Sequence, residues 1–156
     1  SLNLAGKQRS SGLELALALR PSRQVSLWGN FAYARARYDN YDFAGGSFSG
    51  NTPPSVPRIV ANAGASYRLQ TALPTELGLS VRHVGDRFNT DANTVRLLAY
   101  TVADAYASMD VDKARFTFRV RNVSNKKYAV WGDPFYPDQI LLGAPRSVEI
   151  AMTIKV

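Results

Sequence analysis

The residues best suited to hold a ligand are aromatic rings and arginines that fall in long segments between predicted strands. Trp131, Phe135 and Tyr136 stand close together in one such segment, and Arg87 and Arg96 stand in another. Flat rings stack on unsaturated groups, and guanidinium groups attract negative charge. We therefore predict that these five residues bind an anionic ligand. The alternative is that the rings pack on each other or anchor at a membrane interface.

The residues needed for covalent or metal chemistry are scarce. No cysteine occurs, which excludes disulfides, thiolate metal sites and cysteine nucleophiles. The single histidine, His83, follows Leu77, Leu79 and Val81 at every second position, which predicts an outward, interfacial position rather than a ligand or a base. A Gly-x-Ser-x-Gly elbow and a phosphate-binding Gly-x-x-x-x-Gly-Lys loop are both missing from the sequence. We expect no catalytic residue, no metal ligand, no cofactor and no enzyme activity.

The chain of 156 residues carries 19 Lys and Arg against 12 Asp and Glu, a formal charge of +7. Because the cations are dispersed through strand-like segments, nucleic-acid binding has only net charge in its favour, and we expect none. Residues 1–12 lack the charged start and apolar region of a secretion signal. No apolar stretch approaches the ~20 residues of a spanning helix. A β-barrel remains possible, because its strands carry a polar residue at every second position.

Period-two alternation dominates the sequence. Leucine occupies every odd position from 13 to 19, so one face of that strand is wholly leucine, and similar alternation appears at 115–121 and 148–156. Four further segments rich in Val, Tyr, Phe and Thr predict strands at 25–38, 58–69, 75–84 and 100–109. Most of these seven strands have the length of tilted strands that cross a bilayer, which need ~9–11 residues.

The connections alternate strictly between short and long. Short turns are predicted at 21–24, 70–74 and 110–114, and long loops at 39–57, 85–98 and 129–144. In an up-and-down antiparallel sheet, this places every short turn at one end and every long loop at the other. Outer-membrane barrels have this asymmetry, whereas a Greek-key sandwich has no reason to sort its loops.

Alternation alone does not say which face meets water, because a soluble β-sandwich would bury the same leucines. Tyr33, Tyr38, Tyr67 and Tyr128 fall near predicted strand ends, where the aromatic girdles of membrane barrels lie. Long strands, sorted loops and these tyrosines favour an all-β, antiparallel up-and-down transmembrane β-barrel over a soluble sandwich.

Eight short segments along the chain carry a further signal. They read RSSGLE at 9–14, VSLWGNFAY at 25–33, GNTPPSVPR at 50–58, VGDR at 84–87, DAN at 91–93, YTVAD at 100–104, VRNVSNKKY at 120–128 and GAPR at 143–146. Their order and spacing, most specifically at 120–128, resemble the C-terminal portion of the β-barrel of TonB-dependent outer-membrane siderophore receptors.

The resemblance implies a plugged barrel of about twenty-two strands, of which residues 1–156 would be the last seven. The plug domain and the N-terminal strands would be absent, leaving two sheet edges that lipid cannot satisfy. It also implies import of a ferric siderophore or similar iron chelate in a bacterial outer membrane, among lipid and lipopolysaccharide, with energy from the TonB complex through the missing N-terminal region. Chains of this family usually end in an aromatic residue, and Val156 departs from that pattern.

The inward faces of such barrels are polar. By parity with the clearest strands, we predict that Asn62, Arg82, Asp104, Arg119 and Arg121 line the lumen wall, where the simpler interpretation is that they solvate the lumen or pair with a plug. The loop arginines and rings would then meet a catecholate-like iron chelate. Two other functions stay open: a smaller outer-membrane β-barrel of structural or adhesive role, and a soluble β-sandwich binding module.

Overall fold

The computed structural model describes residues 6–43, 45–133, 135, 136 and 138–154. Its main strands are β1 (Lys7–Leu19), β2 (Val25–Asn40), β5 (Ile59–Leu69), β6 (Thr75–Val84), β9 (Tyr100–Val111), β10 (Ala114–Arg121) and β13 (Ser147–Ile154). They form one seven-stranded sheet in the order β1-β2-β5-β6-β9-β10-β13, and every neighbouring pair is antiparallel. The predicted all-β, up-and-down antiparallel architecture of seven strands is therefore confirmed.

The three long connections contain short hairpins of their own. We name them L1 (residues 41–58), L2 (residues 85–99) and L3 (residues 122–146). L1 contains β3 (Asp42–Phe43) and β4 (Gly46–Ser47), L2 contains β7 (Arg87–Phe88) and β8 (Arg96–Leu97), and L3 contains β11 (Ala129–Gly132) and β12 (Ile140–Leu142). All three lie at the same end of the sheet, because short turns separate the other strand pairs.

The turn between β9 and β10 is shorter than the sequence predicted. The predicted turn covered residues 110–114, whereas both strands continue until only Asp112 and Lys113 stand between them. Asp112 has a φ of 53°, and aspartate tolerates this left-handed conformation better than most side chains. The tight turn extends the sheet by two residues on β9.

Cross-strand pairing places the apolar side chains of the seven strands on one face. Phe31 lies between Leu15 on β1 and Ala61 on β5, and Ile150 lies opposite Phe118 at the other edge of the sheet. Leu15 is 58% exposed and Ile150 is 78% exposed, so this face is not packed against a second sheet. The soluble β-sandwich, which would bury these side chains between two sheets, is therefore wrong.

The opposite face is polar and contains hydrogen bonds between strands. Asn62 Nδ2 donates to Asn30 Oδ1 at 2.8 Å, and the hydroxyls of Ser108 and Thr117 lie 2.9 Å apart. An apolar face and a polar face on the same sheet are the two surfaces that a barrel wall presents to lipid and to an aqueous lumen.

The buried apolar residues of the described chain are few and lie toward the loops. They are Ala36, Val84, Leu97 and Tyr100. Since loop packing supplies this burial, the packed part of the molecule is the long-loop end rather than the middle of the sheet.

Two aromatic rings on the polar face cover glycines of the neighbouring strand. A Cβ on Gly64 would collide with the indole of Trp28, and a Cβ on Gly78 would collide with the ring of Tyr106. Glycine inside a strand has no side chain to pack, and a ring laid across it replaces that lost contact. These rings therefore set the close packing of the polar face.

We expect Gly78→Ala to displace the ring of Tyr106 and disturb its 2.6 Å hydrogen bond to Glu76. Such overpacking lowers the free energy of unfolding by ~1–3 kcal/mol. Urea unfolding of the full-length protein in detergent measures this loss. The same substitution in a Tyr106→Ala background should cost much less, and an equal cost in both backgrounds would contradict the contact.

The tyrosines predicted at the membrane interfaces divide into two groups. Tyr33 and Tyr67 lie on the apolar face, at the long-loop end and the short-turn end respectively, as interfacial residues would. The expected positions of Tyr38 and Tyr128 are wrong, because Tyr38 donates a hydrogen bond to L2 and Tyr128 packs 4.3 Å from an aromatic ring of β9. Loop packing, not lipid contact, accounts for these two.

Strands β1 and β13 occupy the two edges of the sheet, and they do not pair with each other within the described residues. The sheet is therefore an open section of a barrel. The expectation for Val156 and the last alternating position falls on residues 155–156, outside the described range. In the described part of the chain, no helix has the length and hydropathy to cross a membrane.

Candidate ligand-binding site

Arg87 of L2 is hydrogen-bonded to the backbone of L3. Its Nη2 donates to the carbonyl oxygens of Ala129 at 2.9 Å and Val130 at 2.7 Å, and its guanidinium carbon lies 5.9 Å from the ring centroid of Tyr100. The residue is 5% exposed. Charge-assisted hydrogen bonds are stronger than neutral ones, so Arg87 determines how β11 sits on L2.

Asn89 makes a second connection between L2 and L3. Its Nδ2 donates to the carbonyl oxygen of Asp133 at 2.8 Å, and the residue is 1% exposed. The side chain of Asp133 in turn accepts hydrogen bonds from the backbone N–H groups of Phe135 and Tyr136 at 2.8 and 3.0 Å. This turn leaves Phe135 81% exposed and Tyr136 64% exposed, so L2 supports a tip whose two rings face solvent.

L1 and L2 are joined through Asn93 and Asp91. Asn93 Oδ1 accepts from the N–H of Thr52 at 2.9 Å while its Nδ2 donates to the carbonyl of Thr52 at 2.8 Å. Asp91 accepts from the hydroxyl of Tyr38 at 2.7 Å, and its carbonyl accepts from Asn51 Nδ2 at 2.8 Å. L2 therefore contacts both of the other long loops, and the three form one assembly.

We expect Asn93→Gly to separate L1 from L2 locally, because it removes both hydrogen bonds to Thr52. A loss of ~1–2 kcal/mol corresponds to roughly tenfold faster exchange of the Thr52 amide hydrogen. Asn93→Ala should show a larger effect, because Asn93 has a φ of 57° that alanine adopts only with strain. Thr94→Ala, an exposed change in the same loop, is the control. Unchanged exchange at Thr52 in the glycine variant would refute the connection.

Asn122 holds the base of L3 and joins it to the lumen wall. Its Nδ2 donates to the carbonyls of Lys126 and Ala144 at 2.9 and 3.0 Å, and its Oδ1 accepts from the N–H of Lys126 at 2.8 Å. The N–H of Asn122 donates to Asp104 Oδ1 at 2.7 Å. Asp104 is therefore a wall residue that also fixes where L3 leaves β10.

A cavity of about 240 Å³ between L1 and L2 has three arginines in its lining. Arg58, Arg87 and Arg96 contribute the positive charge, and Asp86, which forms an ion pair with Arg96, is the acidic side chain. The side chain of Arg96 is 58% exposed. The excess of cations in a concave site makes it suitable for an anionic group.

The five predicted ligand residues fall in two places. Arg87 and Arg96 line the cavity between L1 and L2, whereas Trp131, Phe135 and Tyr136 lie on L3. Trp131 is 44% exposed. Among the described residues, no hydrogen bond, ion pair or ring contact joins side chains of the two groups, although β8 and β11 lie side by side and Arg87 bonds to the backbone just before Trp131. Their role in binding stays a prediction.

The five residues predicted for the lumen wall all lie on the polar face. Asn62, Arg82, Asp104 and Arg121 line one cavity of about 320 Å³, and Arg119 lines a second of about 390 Å³ that also includes Asp104 and Arg121. Trp28 is common to both. The structure therefore brings the set together, while contact with a ligand or plug stays a prediction.

The wall arginines of β10 share an acidic partner on β13. Glu149 lies 3.0 Å from Arg121 Nη2 and 3.5 Å from Arg119 Nη1. Arg119 also lies over the ring of Tyr106, with 5.9 Å from the guanidinium carbon to the ring centroid. Because Asp104 lines the same cavity as these two arginines, its carboxylate and that of Glu149 together balance the two guanidinium charges in this part of the wall.

Sequence reasoning missed the asparagines that join the loops. Asn89, Asn93 and Asn122 bond to residues 4 to 44 positions away, which no periodic pattern predicts. The available signal was the asparagine content of the loops, since Asn93, Asn122 and Asn125 all have positive φ and asparagine tolerates that conformation. Arg58 was also missed, because it stands at the start of a predicted strand.

Comparison with known proteins gives a consistent result. Residues 1–123 match the family described as "TonB dependent receptor-like, beta-barrel". The ferrioxamine receptor of Yersinia enterocolitica is 31% identical over 152 residues, which is 93% of this chain and 20% of that protein. The chain thus spans about a fifth of the length of this relative.

Two solved structures share the fold. The ferric preacinetobactin receptor of Acinetobacter baumannii has a TM-score of 0.78 and 28% identity, covering 94% of this chain and 22% of that one. The ferric yersiniabactin uptake receptor of Yersinia pestis has a TM-score of 0.86 and 22% identity, covering 96% of this chain and 24% of that one. In both cases, the similarity covers nearly the whole sheet with its loops.

Proposed function

This chain belongs to the TonB-dependent receptor β-barrel family, and we propose that it forms the last seven strands of a receptor that imports a ferric siderophore or a similar iron chelate. The sheet is part of a β-barrel in the bacterial outer membrane, with its apolar face toward lipid and its long loops outside the cell. The plug domain, the TonB-contacting segment and the preceding strands would come from a region N-terminal to this chain.

The observation that carries the proposal is the composition of the loop end. A cavity lined by three arginines opens beside a loop whose exposed rings are held outward by Asp133. An iron chelate carries negatively charged oxygens around the metal, which suit the arginines, and flat or apolar groups on the chelator, which suit the rings. The cavity and the rings lie at the loop end of the polar face, which would line the lumen that a released ligand passes through.

The side chains divide into those that would touch the chelate and those that would position others. Arg96, Trp131, Phe135 and Tyr136 are at least 44% exposed and would contact it. Arg87 is buried and bonded to L3, so we assign it to positioning the loop that carries the rings. Within the described residues, no group of three His, Asp or Glu side chains could hold a metal ion, so recognition would fall on the chelator rather than on direct iron ligation.

The partners in this proposal are a ferric chelate outside, the TonB complex through the N-terminal region, and lipid with lipopolysaccharide around the barrel. We assign no catalytic step to the chain, since His83 lies on the apolar face with its Nδ1 2.9 Å from the Thr101 hydroxyl. Nucleic acid is not a proposed partner, because the arginines are spread over two faces and three loops.

Transport is tested with the full-length protein in a bacterium that lacks its own chelate receptors. Uptake of radioactive iron is measured from ferrioxamine, ferrichrome and a ferric catecholate, with and without TonB. Uptake of at least one chelate that disappears without TonB is expected. A protein that reaches the surface and takes up none of them would instead support the alternative of a structural or adhesive outer-membrane barrel.

We expect Arg96→Gln to weaken chelate binding roughly tenfold, because hydrogen bonds to a charged group contribute ~1.5–3 kcal/mol. A guanidinium has five N–H donors, so Arg96 can bind a chelate while it keeps its ion pair with Asp86. Concentration-dependent uptake should show a raised half-saturation concentration with little change in the maximal rate. Arg23→Gln, an exposed arginine at the opposite end of the sheet, is the control. Equal effects of both changes would argue against a site at Arg96.

A further inference from the structure

Beyond Tyr33, toward the long loops, the lipid-facing side of β1 and β2 carries arginines instead of apolar residues. Leu13 lies opposite Tyr33 on the apolar face. Two and four residues further toward the long loops, Arg35 and Arg37 occupy the same face of β2, and Arg9 lies opposite Arg37 on β1. Successive residues in a strand point to opposite faces. The three arginines therefore lie on the same face as the leucines of β1, which meet lipid nearer the short-turn end.

This arginine cluster, defined as Arg9, Arg35 and Arg37, has more positive charge than its surroundings neutralise. Arg9 forms an ion pair with Asp39 at 3.3 Å and remains 75% exposed at its side chain. Arg35 and Arg37 are exposed and have no ion-pair partner within the described residues. One carboxylate therefore faces three guanidinium groups.

The cluster is separate from the chelate site. Ala36, which lies between Arg35 and Arg37 in the sequence, points to the other side of the strand and is 3% exposed. The cavity with Arg58, Arg87 and Arg96 belongs to the loops, and none of the cluster residues lines it. A ligand for the cluster would thus approach from outside the barrel wall.

We propose that the arginine cluster binds the phosphate groups of an anionic lipid in the outer leaflet. Barrel strands tilt by ~40° from the barrel axis, so at ~3.3 Å per residue Arg35 lies about 5 Å and Arg37 about 10 Å above Tyr33. A headgroup layer is ~5–7 Å thick, so the backbone of Arg35 lies within it and that of Arg37 lies just outside it, within reach of a long side chain. Guanidinium groups bind phosphate with two parallel hydrogen bonds. The acyl chains of the same lipid would then lie on the leucines of β1. This inference rests on the proposed embedding in lipid, not on the nature of the imported chelate.

The test uses the full-length receptor purified in a detergent free of phosphate. Three probes are titrated: lipid A with two phosphates, the same lipid without phosphate, and inorganic phosphate. The variant is Arg35→Gln with Arg37→Gln, and the matched control is Arg20→Gln with Arg23→Gln, which removes the same charge at the short-turn end of the same two strands.

Each arginine near a charged membrane surface contributes about fivefold in affinity, so the variant should bind phosphorylated lipid A roughly twentyfold more weakly. The control should bind it as the unchanged protein does. Dephosphorylated lipid should bind equally weakly to all three, and inorganic phosphate should compete poorly because it lacks the chains that lie on the apolar face.

Three results would overturn the inference: equal losses in variant and control, equal binding of dephosphorylated lipid, or competition by inorganic phosphate at the lipid's own concentration. The variant should still unfold at the urea concentration of the parent protein, which separates lost binding from lost folding. Chelate uptake is measured in parallel. If the protein binds the lipid but takes up no chelate, the import proposal is wrong and the lipid site stands. If it takes up chelate but does not bind the lipid, the lipid site is wrong and the import proposal stands.

Discussion

Leu15→Arg is expected to lower the stability of the folded protein in lipid more than any nearby change on the polar face. Leu15 is near the middle of the outward stripe of β1, opposite Phe31 on the apolar face. An arginine on the lipid side of a barrel near the bilayer midplane costs ~2–4 kcal/mol. Urea titration of folding into phospholipid vesicles, with the full-length protein, measures this loss directly.

The adjacent position gives a matched control for Leu15. Ala16 pairs with Asn30 on the polar face, so Ala16→Arg places the same side chain one residue away, toward the aqueous side. It should change the free energy of unfolding by less than about 1 kcal/mol, because substitutions on a solvated surface seldom cost more. If the two variants lost equal stability, the assignment of the leucine face to lipid would be wrong.

Arg87→Ala is expected to release β11 from L2. The change removes the hydrogen bonds to the carbonyls of Ala129 and Val130 and the contact with Tyr100. Charge-assisted hydrogen bonds contribute ~1.5–3 kcal/mol each, so a combined loss of about 3 kcal/mol would speed amide hydrogen exchange near β11 roughly 100-fold. Chelate affinity should fall with it, because the rings of L3 lose their support.

Two further variants test whether Arg87 positions L3 or contacts the chelate directly. Arg87→Lys keeps the charge but loses the planar group that reaches two carbonyls, so it should restore exchange protection only in part. Arg96→Gln should weaken chelate binding while leaving exchange near β11 unchanged, because its side chain is exposed and bonds to Asp86. Normal exchange in Arg87→Ala would show that L3 is held by other contacts.

The fold follows from the sequence because its rules are local and periodic. Leucine at every second position from 13 to 19 assigns a face without knowledge of any partner strand. Alternation of short and long connections then sets the topology, and the observed strand order agrees. The exceptions are local too: the turn at Asp112 is tight because one aspartate adopts a positive φ, which composition alone does not reveal.

The loop site follows much less from the sequence, because its contacts depend on three-dimensional packing. Arg87 was predicted to contact the ligand on account of its charge and its loop position, yet its acceptors lie 42 and 43 residues away, in a loop that the sequence does not link to it. Tyr38 and Tyr128 were predicted to be interfacial because they fall near strand ends, and the loop contacts that they make instead cannot be read from the sequence. The five residues predicted for the lumen wall do lie on the polar face, because parity along a strand decides which face a residue occupies, and their role there stays a prediction.

The connection of L2 to both L1 and L3 has a thermodynamic consequence. Since the three loops are held together by their own hydrogen bonds, much of the conformational entropy of this surface is already lost before a chelate arrives. Binding then requires little further ordering of the loops. The heat-capacity change should therefore match the surface buried between chelate and protein, without the extra change that folding of the loops would add. Calorimetry at several temperatures would distinguish this from loops that order only on encounter.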